Sequence, residues 1–211
     1  MVDPRSLRVY VLTSSGSVPG RGHGEVASGA IAGGATAVQL RAPELDDAAL
    51  TELGTEIAGV CHAAGVLFVV NDRLEVAASL GAGAHVGQDD DPSSARAILG
   101  PDAVLGVSVS TPDEARAAAG DGADYLGVMV WATRTKPGAR PRGLDGLRAI
   151  VEATDLPVVG IGGIDAGNAR QVLETGAAGI CVVSAVGAAP DPERAARALV
   201  EVVQGWEAGV R

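Results

Sequence analysis

The sequence of 211 residues has few aromatic side chains and few cysteines. Aromatic residues make up 2% of the chain and hydrophobic residues 47%, so its core must be built from Ala, Val, Leu and Ile. These suffice for one sizeable core, and we expect a single domain over residues 1–211. The two cysteines, Cys61 and Cys181, make no disulfide framework and have no ligand-spaced partners, so we expect both to be buried, inert thiols.

Positive charge and long apolar runs are also scarce. The formal net charge is -10, which disfavours nucleic acids and anionic membrane surfaces as partners. No apolar run approaches the roughly 20 residues of a membrane span, and Met1 to Arg8 lacks the apolar core of a secretory signal. We therefore expect a cytoplasmic protein without nucleic-acid or membrane partners, in which any phosphorylated ligand needs a local cationic pocket.

Short apolar runs alternate with amphipathic or Ala-rich segments along the whole chain. The predicted strands are Arg8 to Leu12, Ala37 to Leu40, Leu67 to Val70, Ala84 to Gly87, Val104 to Val107, Tyr125 to Val128, Val158 to Ile161 and Ile180 to Val183. The clearest predicted helices are Asp46 to Ala64, Thr111 to Ala119, Leu144 to Ala153 and Asp191 to Gln204. This order predicts an α/β fold, a (β/α)8 TIM barrel, with an open doubly wound sheet as the poorer alternative.

Acidic residues follow two successive predicted strands. Asn71-Asp72-Arg73 closes one strand and Gln88-Asp89-Asp90 follows the next. Ligands of a parallel barrel sit at the carboxyl ends of its strands, so Asp72 and Asp90 are candidates to face one hard cation such as Mg²⁺. The simpler alternative is that the second run is a solvated turn leading into Pro92.

Glycines and basic residues follow the later strands. Gly162 and Gly163 end the seventh strand and Ser184 follows the eighth, where barrels often bind a phosphate, although the glycines alone also fit a tight turn. The segment Thr133-Arg134-Thr135-Lys136 follows the sixth strand and predicts a diphosphate-binding loop, with a solvated basic loop as the alternative. Arg41 ends the second strand, so we expect its side chain to reach the same ligand cavity as this basic segment.

Three other residues have simpler interpretations. We expect His85 to be a packed strand residue rather than a ligand, because no second metal-binding side chain lies beside it. We expect His23 to lie in a mobile Gly-rich loop from Gly16 to Gly24. Trp131 precedes the basic loop and fits either a cover over a bound ring or a core anchor.

An ordered set of short segments resembles the thiamine phosphate synthase family and its thiazole tautomerase relatives. The segments span nearly the whole chain: Gln39-Leu40-Arg41, Asn71-Asp72-Arg73, His85-Val86-Gly87-Gln88-Asp89-Asp90, Gly106-Val107-Ser108, Thr133-Arg134-Thr135-Lys136, Ile161-Gly162-Gly163-Ile164 and Val183-Ser184-Ala185. Each segment alone is weak evidence for the family, and it is the order of the segments along the chain that makes the resemblance specific. The resemblance also implies a (β/α)8 barrel and a homodimer.

The resemblance implies a transferase of thiamine biosynthesis. Such an enzyme joins hydroxymethylpyrimidine diphosphate to a thiazole phosphate and releases pyrophosphate. By position, Asp72 and Asp90 would hold Mg²⁺, and the catalytic residues would be Arg41, Ser108 and Lys136. These three, with Gln39 and Asn71, would bind the pyrimidine diphosphate, and the thiazole phosphate would be bound by Thr133, Thr135, Gly162, Gly163, Val183 and Ser184.

The chain departs from the family pattern at three places. Pro43 stands where the family usually has Lys, Ser110 stands where it commonly has His, and Val128 to Ala132 is one residue shorter than usual. Two alternatives therefore stay open beside the synthase. One is a thiazole tautomerase-like isomerase, and the other is a divergent, non-catalytic protein that binds phosphate ligands.

Overall fold

A computed structural model describes residues 2–15, 18–133 and 140–210 of the chain. Its centre is a closed barrel of parallel strands in sequence order, with the last strand paired to the first. The strands are β1 (Val9–Leu12), β2 (Ala37–Leu40), β3 (Leu67–Asn71), β4 (Gly83–Val86), β5 (Leu105–Ser108), β6 (Tyr125–Met129), β7 (Val158–Ile161) and β8 (Gly179–Val182). The predicted (β/α)8 barrel is confirmed, and the open sheet is excluded because no strand of this barrel has a free edge.

Helices follow the strands and surround the barrel. After a short 3-10 helix (Pro4–Leu7), the described helices are α1 (His23–Ala32), α2 (Asp47–Ala64), α3 (Leu74–Ser79), α4 (Pro92–Leu99), α5 (Pro112–Gly120), α6 (Gly143–Val151), α7 (Ala169–Leu173), α8 (Ser184–Gly187) and α9 (Pro192–Val210). The four helices expected from periodicity correspond to α2, α5, α6 and α9, the last of which extends further than expected. The loop expected from Gly16 to Gly24 is shorter than predicted, because α1 already begins at His23.

Local capping explains several of these boundaries. Asp46 begins α2 by accepting a hydrogen bond from the backbone of Ala49, and Thr111 begins α5 in the same way through Glu114. Helix α2 ends at Gly65, whose φ of 67° is a left-handed conformation that glycine adopts without strain. Polar caps thus set the starts of α2 and α5, and a glycine sets the end of α2.

The core has two parts, one between the strands and the helices and one inside the barrel. Most β1 to β8 residues are buried, which explains why these strands read as continuous apolar runs. The inner part contains Tyr10 and Tyr125, two of the few aromatic residues of the chain. A Cβ on Gly106 would lie 2.1 Å from Cζ of Tyr125, so glycine is required there to admit the ring. The two tyrosines are fully buried within this inner part of the core.

Within the described residues, no helix is long and apolar enough to cross a membrane. This agrees with the sequence, in which no apolar run has the length of a span.

Candidate active site

Two adjoining cavities open at the carboxyl ends of the strands. The larger cavity has a volume of about 800 Å³, and the smaller cavity has a volume of about 80 Å³. The residues that line both of them are Leu12, Arg41, Met129, Ile161 and Cys181. We call these five residues the shared wall. Ligands in the two cavities can therefore approach each other across these side chains.

The candidate site residues divide between the two cavities. Those in the wall of the larger cavity are Gln39, Arg41, Asn71, Asp90 and Ser108. Those in the wall of the smaller cavity are Arg41, Thr133, Gly162, Gly163, Val183 and Ser184. Thr135 and Lys136 lie outside the described residues, and Asp72 is not among the residues that line either cavity. For the described residues this division matches the two ligand sets that the family resemblance implied, while their individual roles stay predictions.

A chain of hydrogen bonds crosses the floor of the larger cavity. Gln39 Nε2 donates to the Tyr10 hydroxyl at 2.5 Å, and that hydroxyl lies 2.9 Å from the Tyr125 hydroxyl. The Tyr125 hydroxyl lies 3.0 Å from Nδ1 of His85, whose Nε2 lies 3.0 Å from Oγ of Ser108. A consistent set of donors runs from Gln39 to Ser108 if Tyr125 donates to Nδ1 and the imidazole carries its proton on Nε2. Five side chains from five strands thus form one chain, which we call the floor chain.

The two tyrosines of the floor chain are neutral groups. Burial raises the pKa of the Tyr10 hydroxyl well above its usual value of 10.0, and burial likewise raises the pKa of the Tyr125 hydroxyl. Both phenols therefore keep their protons at neutral pH, so each can donate one hydrogen bond and accept another. Ser108, at the end of the floor chain, then presents a hydroxyl of fixed orientation to the larger cavity.

His85 does lie in a strand, as expected, but it is also part of the cavity wall. Its ring is tilted against that of Tyr125, with 5.4 Å between the ring centroids. In the described parts of the chain, no group of three or more His, Cys, Asp or Glu side chains is placed to hold a metal ion. The contacts of His85 are those of a hydrogen-bonding residue in a ligand cavity.

The candidate metal ligands, Asp72 and Asp90, are exposed and follow two adjacent strands. Strands β3 and β4 pair so that Asn71 lies opposite His85, one residue before Asp72. Asp72 has a φ of 62° and is the one non-glycine residue with positive φ in the described chain. Asp90 Oδ2 accepts a hydrogen bond from the backbone N–H of Gly87 at 2.7 Å. Two carboxylates that are not joined by a third His, Cys, Asp or Glu of the described residues fit Mg²⁺, which usually keeps several waters and is shared with substrate phosphates, better than they fit a closed Zn²⁺ site.

Three arginines bring positive charge to the cavities of this acidic protein. Arg41 lies in the shared wall, and Arg140 and Arg142 line the larger cavity. The backbone N–H of Arg142 donates to the carbonyl of Met129 at 2.8 Å, which holds the returning loop against the end of β6. Among the described residues, Arg41 forms no ion pair with a carboxylate, so its guanidinium is available to an anionic ligand. Arg142 was not a candidate from the sequence, because its approach to β6 depends on the path of the loop.

The turn after β7 needs glycine at two successive positions. Gly162 and Gly163 have φ values of 97° and 65°, and a Cβ on Gly162 would lie 2.6 Å from the carbonyl oxygen of Trp131. The turn therefore packs against the chain that follows β6 while it lines the smaller cavity. Trp131 itself is partly buried and packs against the core, and it is not among the residues that line either cavity. Of its two interpretations, the structure favours the core anchor.

Ser110, which stands at the position of a common family histidine, belongs to a polar cluster at the rim. Its hydroxyl donates to Gln88 Oε1 at 2.7 Å, and its backbone N–H donates to Glu114 Oε2 at 2.7 Å. Gln88 also donates to Glu114 at 3.2 Å. The three residues line the larger cavity, so Ser110 has a structural role on that side. Pro43, at the position of the usual lysine, is exposed and is not among the lining residues.

A second hydrogen-bonded cluster lies behind Arg41. The backbone N–H of Arg41 donates to Oγ1 of Thr13 at 3.2 Å, and Nδ1 of His23 lies 2.8 Å from the same oxygen. Nε2 of His23 lies 3.0 Å from Oε1 of Glu44. Hydrogen bonds from Ser15 and then from His23 lower the pKa of the Glu44 carboxyl to about 2. His23 is 6% exposed and begins α1, so its predicted place in a mobile loop was wrong.

Both cysteines are buried, as expected. Burial raises the pKa of the Cys61 thiol to about 11 and raises the pKa of Cys181 further still. Cys181 lies in the shared wall, where it contributes apolar surface rather than a nucleophile, because only a thiolate is reactive.

The chain is similar to known proteins along nearly its whole length. The family described as thiamine monophosphate synthase matches residues 9–186. A thiamine-phosphate synthase of Moorella thermoacetica is 51% identical over 199 residues, covering 92% of this chain and 95% of that protein. Another, of Natronomonas pharaonis, is 48% identical over 203 residues, with coverages of 93% and 95%. The solved structure of the thiamine phosphate pyrophosphorylase from Pyrococcus furiosus has a TM-score of 0.89 at 38% identity, covering 96% of this chain and 98% of that one.

Proposed function

Because the chain belongs to the thiamine monophosphate synthase family, a family of transferases, we propose that it joins hydroxymethylpyrimidine diphosphate to thiazole phosphate. The products are thiamine phosphate and pyrophosphate. The observation that carries this proposal is the pair of adjoining cavities, because a reaction of two phosphorylated substrates needs two binding sites that meet. Of the candidate residues that the structure describes, those for each substrate line the corresponding cavity.

The reaction needs charge stabilisation and positioning more than proton transfer. The bond between the pyrimidine methylene carbon and the diphosphate oxygen breaks, and its electron pair leaves with the diphosphate. The thiazole nitrogen then donates its lone pair to the methylene cation and forms the new C–N bond. No general base is required, so the protein must neutralise the leaving group, hold the rings in line and exclude water.

The residues of the larger cavity suit the first half of this reaction. Arg41 would bind the diphosphate and neutralise charge as it departs, with Lys136 as a second cation. Gln39, Asn71 and Ser108 would hold the pyrimidine by hydrogen bonds. The floor chain supports this role, because it fixes the orientation of both the Gln39 amide and the Ser108 hydroxyl.

The residues of the smaller cavity suit the second substrate. Gly162 and Gly163 leave room for an anion to approach the backbone, and Thr133, Thr135 and Ser184 offer hydroxyl donors for the thiazole phosphate. Val183 would bound the site beside Ser184. The apolar members of the shared wall, such as Met129 and Ile161, lie where the two rings would meet and would exclude water from the cation.

We include Mg²⁺ in the proposal, held by Asp72 and Asp90. The support is that two exposed carboxylates follow adjacent strands and that one of them, Asp90, lines the larger cavity, where a diphosphate would complete the oxygen ligands. When bound, the ion would neutralise charge on the leaving diphosphate. Asp72 and Asp90 would act as its anchors and take no part in proton transfer.

The isomerase alternative has less support from this site. Among the described residues that line the smaller cavity there is no histidine, and residue 110 is a serine already hydrogen-bonded to Gln88. The expected cytoplasmic location, the homodimer and the absence of a nucleic-acid partner stay predictions that rest on charge and on the family resemblance.

The test is formation of thiamine phosphate from the two substrates, detected by oxidation to fluorescent thiochrome, with Mg²⁺ and with a chelator. We expect product with Mg²⁺ and little or none with the chelator. Folded protein that binds thiazole phosphate but forms no product would refute the synthase and favour the non-catalytic binder. Product that forms equally well with the chelator would refute the Mg²⁺ assignment alone.

A further inference from the structure

The cluster behind Arg41 has the order of a catalytic triad but not its accessibility. Hydroxyl, imidazole and carboxylate follow one another in Thr13, His23 and Glu44, at distances of 2.8 and 3.0 Å. Thr13 is 0% exposed, so its oxygen cannot reach a substrate as a nucleophile. These three side chains can therefore act only through the protein groups that they hold in place.

The partners of the cluster define the direction of its hydrogen bonds. Glu44 is a carboxylate at neutral pH because its pKa is lowered to about 2, so it accepts and Nε2 of His23 donates. With one proton on the imidazole, Nδ1 accepts from the Thr13 hydroxyl, whose oxygen remains free to accept from the backbone N–H of Arg41. Each polar group in the series then has a partner of the right kind.

The cluster ties together three segments near the shared wall. Thr13 directly follows β1 and its backbone N–H donates to the carbonyl of Gln39 at 2.9 Å, while Glu44 belongs to the loop between β2 and α2. His23 begins α1 and bridges these two segments. Arg41 lies between Thr13 and Glu44 in this arrangement, and it lines both cavities.

We infer that His23, acting through Thr13 and Glu44, is a positioning residue that fixes the backbone of Arg41 and so aims its guanidinium at the diphosphate. This inference rests on the proposed function in one respect, which is that Arg41 is taken to bind the diphosphate. His23 is not among the residues that line either cavity, so its role would be played through Arg41 and not by contact with substrate. Its contribution is to hold a loop that carries no regular secondary structure from Arg41 to Asp46.

The test measures the affinity of inorganic pyrophosphate, with Mg²⁺, by calorimetry for the full-length protein and its variants. We expect His23→Ala to weaken pyrophosphate binding about tenfold, because Arg41 loses its fixed geometry in the cavity wall. This factor corresponds to about 1.4 kcal/mol of binding free energy. Glu44→Gln should weaken binding by a smaller factor, about threefold, since it keeps the shape of the side chain and removes only the charge. Glu44 is largely exposed, so this variant keeps the proposal testable if His23→Ala does not fold.

A double-mutant cycle separates positioning from general loosening of the structure. In an Arg41→Ala background, His23→Ala should cause no further loss of pyrophosphate affinity, because the group through which it acts is gone. The matched control is Glu25→Gln, which removes an exposed carboxylate on the same helix that pairs with Arg21. This control should bind pyrophosphate like the unsubstituted protein.

Three outcomes would overturn the inference. These are unchanged affinity in both His23→Ala and Glu44→Gln, an equal loss in the Arg41→Ala background, and failure of the unsubstituted protein to bind pyrophosphate. Binding without formation of thiamine phosphate would instead refute the proposed function and leave the cycle interpretable. With active protein, a rise in KM for the pyrimidine diphosphate without a rise in KM for thiazole phosphate would support the same positioning.

Discussion

The hydroxyl oxygens of Tyr10 and Tyr125 lie 2.9 Å apart inside the barrel, with the two rings edge to face. Each hydroxyl has another partner on its far side, Gln39 for Tyr10 and His85 for Tyr125. The pair therefore connects the amide of Gln39 with the hydroxyl of Ser108, which lines the same cavity from a strand on the other side of the barrel. The two tyrosines are both core and site residues.

We expect Tyr125→Phe to lower kcat/KM for thiamine phosphate formation about tenfold or more. A tenfold loss corresponds to about 1.4 kcal/mol of transition-state stabilisation. The substitution removes the partner to which the Tyr10 hydroxyl donates and one hydrogen bond to Nδ1 of His85. It should also lower the free energy of unfolding by about 1–3 kcal/mol, the usual range for an unsatisfied buried group.

Steady-state kinetics and urea unfolding measure the two effects of this substitution. Tyr10→Phe serves as the companion variant, because it interrupts the same chain one step earlier. If the floor chain acts as a unit, the double variant should lose little more activity than either single variant. Full activity in Tyr125→Phe would show that the orientation of Ser108 does not depend on the chain.

We expect Asp72→Asn and Asp90→Asn each to lower Mg²⁺-dependent turnover at least about a hundredfold, since each removes a negative oxygen ligand of a hard cation. Asn is chosen at residue 72 because it tolerates the left-handed conformation with φ of 62° that Ala would not. Turnover as a function of Mg²⁺ concentration measures the effect, and Asp102→Asn is a control at an exposed residue away from both cavities. The same Mg²⁺ response in all three variants would refute the metal assignment.

The buried thiols should react only when the protein unfolds. With the pKa of Cys61 raised to about 11, roughly one thiol in a thousand is a thiolate at pH 8, and the pKa of Cys181 is higher. We expect iodoacetamide to leave the folded protein unmodified for hours and to modify both cysteines in urea. Mass spectrometry counts the added groups. Rapid labelling of Cys181 in the folded state would show that the shared wall opens to solvent.

Glu44 should make stability depend on pH in acid. Its pKa is lowered in the folded state from 4.5 to about 2, so its stabilising contribution is complete above pH 4.5 and is lost as the pH falls toward 2. Glu44→Gln lacks this contribution at every pH. The difference in free energy of unfolding between the unsubstituted protein and Glu44→Gln should therefore shrink across this window. Urea titrations measure it, and a difference that does not change with pH would contradict the assignment.

The barrel could be predicted because each of its strands carries a local signal. Apolar runs such as Val158 to Ile161 and helix ends such as Gly65 are determined by neighbours in sequence, and the strand from Val158 to Ile161 has the predicted bounds. The predicted barrel also located Gly162, Gly163 and Ser184, since residues that follow a barrel strand must lie at its carboxyl end. Position along the chain was enough to bring them to one cavity.

The hydrogen-bonded groups could not be predicted because their partners are distant in sequence. Tyr10 and Tyr125 are separated by 115 residues, and each reads as an ordinary apolar strand residue. Whether a strand residue points into the barrel or toward a helix depends on the register around the whole ring, which no single strand reveals. His23 was placed in a loop for the same reason, because its partners Thr13 and Glu44 lie on other segments.

The shared wall also bears on what happens after the new bond has formed. A ligand made by joining the occupants of both cavities must lie across Leu12, Arg41, Met129, Ile161 and Cys181, and it leaves room for neither starting molecule. Such a product competes with each substrate, whereas released pyrophosphate competes with one. The geometry that brings the two reactants together thus also gives the product contacts in both cavities, so we expect thiamine phosphate to inhibit the enzyme competitively against each substrate.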